Sequence, residues 1–169
     1  GGGPVGRGGR PAGRAAGPSV GQGGDTLVVA AVTVSDSQRP LPFFPPLVEY
    51  KDKAQAAGKI PRGFIKREGR PSDPEILKAR IIDRSIRPLF PEGFKNEVQV
   101  FIYVVSADQE NDADVMALVA ASYAINSSRI PFMGPIAAVR VGRVQEKWIL
   151  NPTFQPLPYS DMDIVLAAS

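Results

Sequence analysis

Residues 56–94 read AAGKIPRGFIKREGRPSDPEILKARIIDRSIRPLFPEGF, and this stretch decides the fold because it contains a complete helix start. Ser72 is followed three residues later by Glu75, which is the spacing of a capping box. Asp73 and Pro74 suit the first helical turn, where an acidic side chain and a fixed φ are favoured. A helix is therefore predicted to begin near Ser72.

The predicted helix has two faces of different character. At about 100° per residue, Arg80, Arg84 and Arg87 fall within a band roughly 60° wide. Asp83 lies four residues before Arg87 and is expected to pair with it. Four apolar residues cover much of the other side: Leu77, Ile81, Ile82 and Ile86. We expect this apolar side to be buried and the arginine side to be cationic.

A basic loop precedes the helix and displays Phe64 beside Lys66 and Arg67. An exposed aromatic ring next to cations suits stacking on an unpaired base together with contact to its phosphate. The candidate residues for binding a single-stranded nucleic acid are Phe64, Lys66, Arg67, Arg70, Arg80, Arg84 and Arg87. The alternative interpretation is a solvated helix face with weak ion pairs.

The distribution of charge supports a local polyanion site. The net charge is only +3, but residues 51–95 contain 12 Lys and Arg against 6 Asp and Glu, whereas residues 96–169 contain 4 against 8. Such a local excess is typical of a surface that steers a polyanion. Cysteine and histidine are absent, which excludes disulfides, thiolate nucleophiles, imidazole bases and the common zinc sites.

The chain is predicted to be one α+β domain with α/β-like character and a disordered start. Residues 1–24 are rich in Gly, Arg and Pro and have almost nothing to bury, so we expect disorder there and a domain over 25–169. No run is long enough to cross a bilayer. Strands are predicted at 26–34, 47–53, 98–105, 135–141, 147–150 and 163–167, and a second helix at 112–125.

Six motifs stand in the order typical of one family: GDTLVVAAV, FFPPLVEYKDKAQAAGKIP, GFIKREGRPSDPEILKARIIDRSIRPLFPEGF, VSADQENDADVMALVAAS, IPFMGPIAAVRVG and SDMDIVLAAS. From about residue 24 to 169 the chain resembles the first ribonuclease PH-like domain of the polynucleotide phosphorylase (polyribonucleotide nucleotidyltransferase) family. The resemblance implies a ribonuclease PH-like fold, a βαβα unit related to ribosomal protein S5 domain 2, with a mixed sheet and helices. It also implies that two strands which the family places before residue 24 are missing.

The resemblance further implies an activity. The chain is expected to be part of a phosphorolytic 3′-to-5′ exoribonuclease of mRNA degradation, in which this domain guides single-stranded RNA to the catalytic domain. Inorganic phosphate is the implied co-substrate, and Mg²⁺ is implied in the catalytic domain. The family also implies a homotrimer, association with the RNase E degradosome, no membrane partner and a bacterial cytoplasmic location, with mitochondrion or plastid as the alternative.

No catalytic or metal-binding residue is expected in this chain. The family's catalytic domain has a Ser-rich phosphate cradle where this chain has carboxylates, at Asp108, Glu110, Asp112 and Asp114, which indicate a capped helix. Its Asp-Met-Asp-Phe-Lys-Val motif is similar to the sequence from Asp161 to Leu166, but Val165 replaces the lysine and Leu157 replaces a further metal-binding Asp. Asp163 is accordingly predicted to be structural. A stand-alone, non-catalytic RNA-binding or pseudo-enzyme module stays open as the alternative function.

Overall fold

The computed structural model describes residues 14–38, 47–53, 56, 58, 70–108 and 110–169. The elements in chain order are β1 (Arg14–Gly23), β2 (Thr26–Gln38), β3 (Leu47–Asp52), α1 (Asp73–Ile86), β4 (Asn96–Ser106), α2 (Ala113–Asn126), β5 (Ala137–Val144), β6 (Lys147–Leu150) and β7 (Met162–Ala168). Short 3-10 helices lie at Arg87–Leu89 and Leu157–Tyr159. Both predicted helices and all six predicted strands are confirmed, with ends that differ by a few residues.

The strands form two sheets. The first has the order β1-β2-β4-β3, with β3 parallel to β4 and the other neighbours antiparallel, so it is a mixed sheet. The second has the order β6-β5-β7 and is antiparallel. Helix α2 contacts strands of both sheets, whereas α1 lies mainly against β3, the edge strand of the first sheet. This arrangement confirms the predicted α+β class.

The core lies between the first sheet and α2. Alternate residues of β2 and β4 point into it, as the two-residue period of a strand requires. The residues from these strands are Val28, Ala30, Val32, Val98, Val100, Ile102 and Val104. Helix α2 contributes a run of alanines around Leu118 and Ile125, and these small side chains let the helix approach the sheet closely.

The prediction of disorder over 1–24 is wrong for residues 14–24, because β1 pairs with β2 along the sheet edge. Strand β1 packs closely against α2 at Gly23 and Ser19. A Cβ at Gly23 would lie 2.5 Å from Met116 Sδ, and the buried Ser19 Oγ donates a hydrogen bond to the Ala120 carbonyl at 2.7 Å. At least one of the strands expected to be missing before residue 24 is therefore present. Residues 1–13 lie outside the described part.

The predicted apolar face of α1 is only partly buried. Ile82 and Ile86 are buried as expected, but Leu77 is 58% exposed and Ile81 is 41% exposed. The expectation that all four would be covered is wrong because α1 packs on an edge strand, which covers only a narrow stripe of the helix. Helix α1 therefore presents apolar as well as cationic side chains to solvent.

Candidate nucleic-acid interface

The start of α1 is fixed by Glu75, as the capping box predicts. Glu75 Oε2 accepts hydrogen bonds from the Ser72 backbone N–H at 2.6 Å and from Ser72 Oγ at 2.8 Å. Its other oxygen accepts from the backbone N–H of Asp52, at the end of β3, at 2.8 Å. Partial burial opposes ionisation, but these hydrogen bonds lower the pKa of Glu75 below its usual value. One carboxylate thus both caps the helix and ties it to the sheet.

The arginine face (Arg80 and Arg84 of α1, with Arg87 at the C-cap of the helix) is exposed along its length. Arg87 donates to Asp83 Oδ2 at 2.7 Å, which confirms the predicted pair. Within the described residues, Arg80 and Arg84 form no ion pair, so their charges are available to an external anion. Arg70, just before the helix, is exposed as well. The predicted residues Phe64, Lys66 and Arg67 lie outside the described residues.

A cleft of about 290 Å³ opens between α1 and β3. Its walls are mostly apolar, and its apolar lining residues are Val48, Pro71, Ile76 and Ala79. Arg80 and Asp83 line the same cleft from successive turns of α1. Asp83 Oδ1 is buried and has no hydrogen-bond partner among the described residues. Sequence reasoning missed this α1–β3 cleft, because it depends on how α1 sits against an edge strand.

An ionic cluster of Lys78, Asp112, Asp114, Arg140 and Asp163 lies where α1, α2 and the second sheet meet. The Arg140 guanidinium donates to both oxygens of Asp163, at 2.7 and 2.6 Å, and to Asp112 Oδ2 at 2.6 Å. Lys78 Nζ donates to the other oxygen of Asp112 at 2.7 Å. The cluster joins four elements (α1, α2, β5 and β7) through side chains that are far apart in sequence, and no sequence signal pointed to it.

Charges within the cluster shift one another's pKa values. Burial opposes ionisation of Asp112, but its bonds to Lys78 and Arg140 lower its pKa overall. The pKa of Asp114 is raised by burial and by the neighbouring charge of Asp112. The bidentate bond to Asp163 is the main reason that the pKa of Arg140 is raised. Arg140 therefore acts as the shared counter-ion for these three carboxylates.

The cluster explains the acidic start of α2. Asp112 stands at the N-cap, but its carboxylate makes no capping hydrogen bond. It accepts hydrogen bonds from Lys78 and Arg140 instead. The prediction of a capped helix is therefore wrong for this side chain. Asp108 makes the local turn, since its Oδ1 accepts from the backbone N–H groups of Glu110 and Asn111. Those bonds hold the pKa of Asp108 well below its usual value.

Both oxygens of Asp163 are bound by Arg140, so this carboxylate links β7 to β5 through an ion pair. Among the described residues, no group of three or more His, Cys, Asp or Glu side chains has an arrangement that could hold a metal ion. In that same part of the chain, no helix combines the length and apolar content needed to span a membrane.

Comparison with solved structures gives the fold. The rice Rrp46 crystal structure superimposes with a TM-score of 0.72 at 18% identity, covering 94% of this chain and 72% of Rrp46. The Archaeoglobus fulgidus exosome with RNA bound to the active site gives a TM-score of 0.65 at 20% identity, covering 91% of this chain and 68% of that chain. The ribonuclease PH-like fold implied by the motifs is confirmed.

Sequence comparison gives the family. The polyribonucleotide nucleotidyltransferase of Gemmatimonas aurantiaca is 74% identical over 161 residues, and that of Geobacter sulfurreducens is 55% identical over 147 residues. These matches cover 95% and 86% of this chain, which spans only about a fifth of the length of each relative (22% and 21%). A family model described as "3′ exoribonuclease family, domain 1" matches residues 9–131 and so includes β1. The chain therefore belongs to the RNase PH-type 3′ exoribonuclease family, as its domain 1.

Proposed function

We propose that this chain is part of a phosphorolytic 3′-to-5′ exoribonuclease, a polyribonucleotide nucleotidyltransferase, in which it guides single-stranded RNA to a separate catalytic domain. The observation that carries the proposal is the arginine face of α1, where Arg80 and Arg84 are exposed and form no ion pair among the described residues. Unpaired guanidiniums in a row bind successive phosphates of a strand. Family membership supports RNA as the polyanion.

Chemistry in the full enzyme would take place elsewhere. Phosphorolysis needs a phosphate site and carboxylates that are free for Mg²⁺. Here the carboxylates around Asp163 are bound by Arg140 and Lys78, so these residues do not fit a magnesium site. We infer that Mg²⁺ and inorganic phosphate bind in the catalytic domain, and that Phe64, Lys66 and Arg67 contact RNA ahead of the arginine face.

The wider setting is inferred from the relatives. We propose a homotrimer that associates with the RNase E degradosome, a bacterial cytoplasmic location, with mitochondrion or plastid as the alternative, and no membrane partner. The matched relatives from Gemmatimonas and Geobacter are bacterial, which supports the first location.

A stand-alone, non-catalytic RNA-binding module is the second candidate, and the ionic cluster favours it for the chain by itself. With Asp163 bound to Arg140 and Val165 in place of a lysine, the 169 residues have no group on this strand to perform phosphorolysis. Incubation of the purified chain with oligo(A), phosphate and Mg²⁺ tests what the two candidates share, since both expect no turnover by this chain alone. Release of ADP by this chain alone would contradict our proposal that catalysis takes place in a separate domain.

RNA guidance itself is tested by the salt dependence of binding. Arg80→Ala combined with Arg84→Ala should weaken binding of oligo(A) and reduce the slope of log K against log salt by about 1.4, because each phosphate contact on a single strand contributes about 0.7. Lys147→Ala is the matched control, since Lys147 is an exposed cation on the second sheet. It should leave the slope unchanged. A double variant with the wild-type slope would refute the assignment of the arginine face.

A further inference from the structure

We propose that the α1–β3 cleft is a nucleotide subsite, in which an unpaired base of the RNA lies against Pro71 and Ile76 while its phosphate binds Arg80. This inference rests on the proposed function and adds a base-binding site to it. The cleft, of about 290 Å³, opens beside the first arginine of the arginine face, so a strand that follows that face passes the cleft mouth.

The apolar wall of the cleft is accessible. Ile76 is 43% exposed, although it is a large aliphatic side chain on a helix, and Pro71 is exposed next to it. Val48 and Ala79 continue the apolar surface inward. An accessible apolar wall suits the face of an unstacked base, which proteins hold between aromatic or apolar side chains.

Three carboxylates line the cleft beside Arg80, and two of them are paired with cations. Glu49 is paired with Lys51 at 2.8 Å, and Glu75 accepts the backbone N–H groups of Ser72 and Asp52. Asp83 is bound through Oδ2 by Arg87 at 2.7 Å. Arg80 alone among these lining charges has no partner within the described residues. A ligand with one apolar face and one anionic group matches this pattern, and a nucleotide has both.

The geometry of α1 connects the subsite to the path of the strand. With a rise of about 1.5 Å per residue, Arg84 lies about 6 Å beyond Arg80 along the helix axis, and Arg87 about 4.5 Å beyond Arg84. Consecutive phosphates of an extended strand can therefore follow the helix from the cleft. An apolar and acidic peptide segment would also match the cleft itself, and the test distinguishes that occupant.

The test separates base contact from simple attraction of anions. Binding of oligo(A) and of inorganic polyphosphate, which has no bases, is measured for the wild type, Ile76→Ser and Leu77→Ser. Leu77 is the matched control because it is an exposed aliphatic residue of the same helix that does not line the cleft. We expect Ile76→Ser to weaken oligo(A) binding by about fivefold, from the loss of apolar contact with one base, and to leave polyphosphate binding unchanged.

Three further variants distinguish base contact in the cleft from a general loss of binding. Leu77→Ser should bind both ligands like the wild type, Ile76→Leu should retain oligo(A) binding, and Arg80→Ala should weaken both ligands. Wild-type oligo(A) binding by Ile76→Ser, or an equal loss for polyphosphate, would overturn the subsite and leave the proposed function standing. Competition by a Leu/Glu peptide as effective as oligo(A) would also overturn it. Absence of any arginine-dependent oligo(A) binding would instead overturn the proposed function.

Discussion

Removal of Arg140 should destabilise the fold more than removal of any exposed arginine. In the substitution Arg140→Met, the side chain keeps most of its apolar length but the guanidinium that binds Asp112, Asp114 and Asp163 is lost. The side chains of Arg140, Asp112 and Asp114 are only 14%, 14% and 11% exposed, so their charges are poorly solvated. Breaking a buried ion pair from one side costs about 3–5 kcal/mol.

The lower end of that range applies here, because Lys78 still neutralises Asp112 and because Asp163 is 45% exposed. We expect a loss of about 3 kcal/mol in the free energy of unfolding. For a chain of this length, each kcal/mol lowers Tm by about 2–4 °C, so the expected fall is roughly 6–12 °C. Thermal unfolding followed by circular dichroism measures it.

The pH dependence of this loss has a defined sign. Arg140 lowers the pKa values of Asp112 and Asp163 in the folded state. Their contribution to stability is therefore present above the unfolded pKa and is lost as pH falls through the folded pKa. The difference in Tm between the wild type and Arg140→Met should be largest near pH 7 and should shrink as pH falls below about 4, through the lowered pKa values of these carboxylates.

The control is Arg143→Met, in which an exposed guanidinium loses its partner Asp161. Its effect on Tm should be small at every pH, since solvent screens the exposed pair. If Arg140→Met changed Tm no more than Arg143→Met, or if its effect grew toward low pH, the view of Arg140 as a shared internal counter-ion would be refuted.

Three further predictions concern local backbone and capping. Gly24 has φ +60° and its added Cβ would lie 2.7 Å from Asp108 Oδ2, so Gly24→Ala should lower the urea-derived free energy of unfolding by more than about 1–2 kcal/mol. Gly93→Ala, at φ +84° with open space, should lose only that backbone contribution, and equal losses would contradict the steric argument. Gln145 and Glu146 both have positive φ in the β5–β6 turn, so the change to Asn-Gly should raise stability by about 1 kcal/mol; a fall would contradict the turn geometry. Glu75→Ala should cost about 1 kcal/mol at pH 7 and nothing once pH has fallen through the lowered pKa of Glu75, as melts across pH would show. A loss that persisted at low pH would mean that the side chain acts through packing.

Local signals predicted the elements of the fold because their causes are local. The capping box joins Ser72 to Glu75, only three residues later. In the β-branched runs of β2 and β4, successive side chains point to opposite faces of the sheet, and those on one face are buried. The Asp83–Arg87 pair spans one helical turn and was predicted for the same reason. None of these features requires knowledge of which distant segment packs against them.

For strand β1, amino-acid composition alone predicts disorder, whereas the structure has a paired strand. A segment with so many glycines has little to bury and is expected to be disordered, but a Cβ at Gly23 would lie only 2.5 Å from Met116 Sδ of α2. The buried bond from Ser19 to Ala120 spans 101 residues. The packing of α2 against β1 explains why small residues occur at these positions, and a single sequence does not show where α2 lies. The ionic cluster was missed for the same reason, since Lys78, Asp112 and Arg140 are 34 and 28 residues apart.

A count of basic residues does not distinguish side chains held in internal ion pairs from side chains that can contact RNA. Residues 51–95 contain 12 Lys and Arg, which suggests a strong salt dependence of RNA binding. Within the described part of that range, Lys78 is bound to Asp112 and Arg87 to Asp83, whereas Arg70, Arg80 and Arg84 are exposed and form no ion pair there. Counterion release follows from phosphate contacts and not from the number of basic residues. The slope of log K against log salt should therefore be set by these arginines and by the basic residues that precede them in the sequence, and neutralising Lys78 should alter the melting temperature more than the slope.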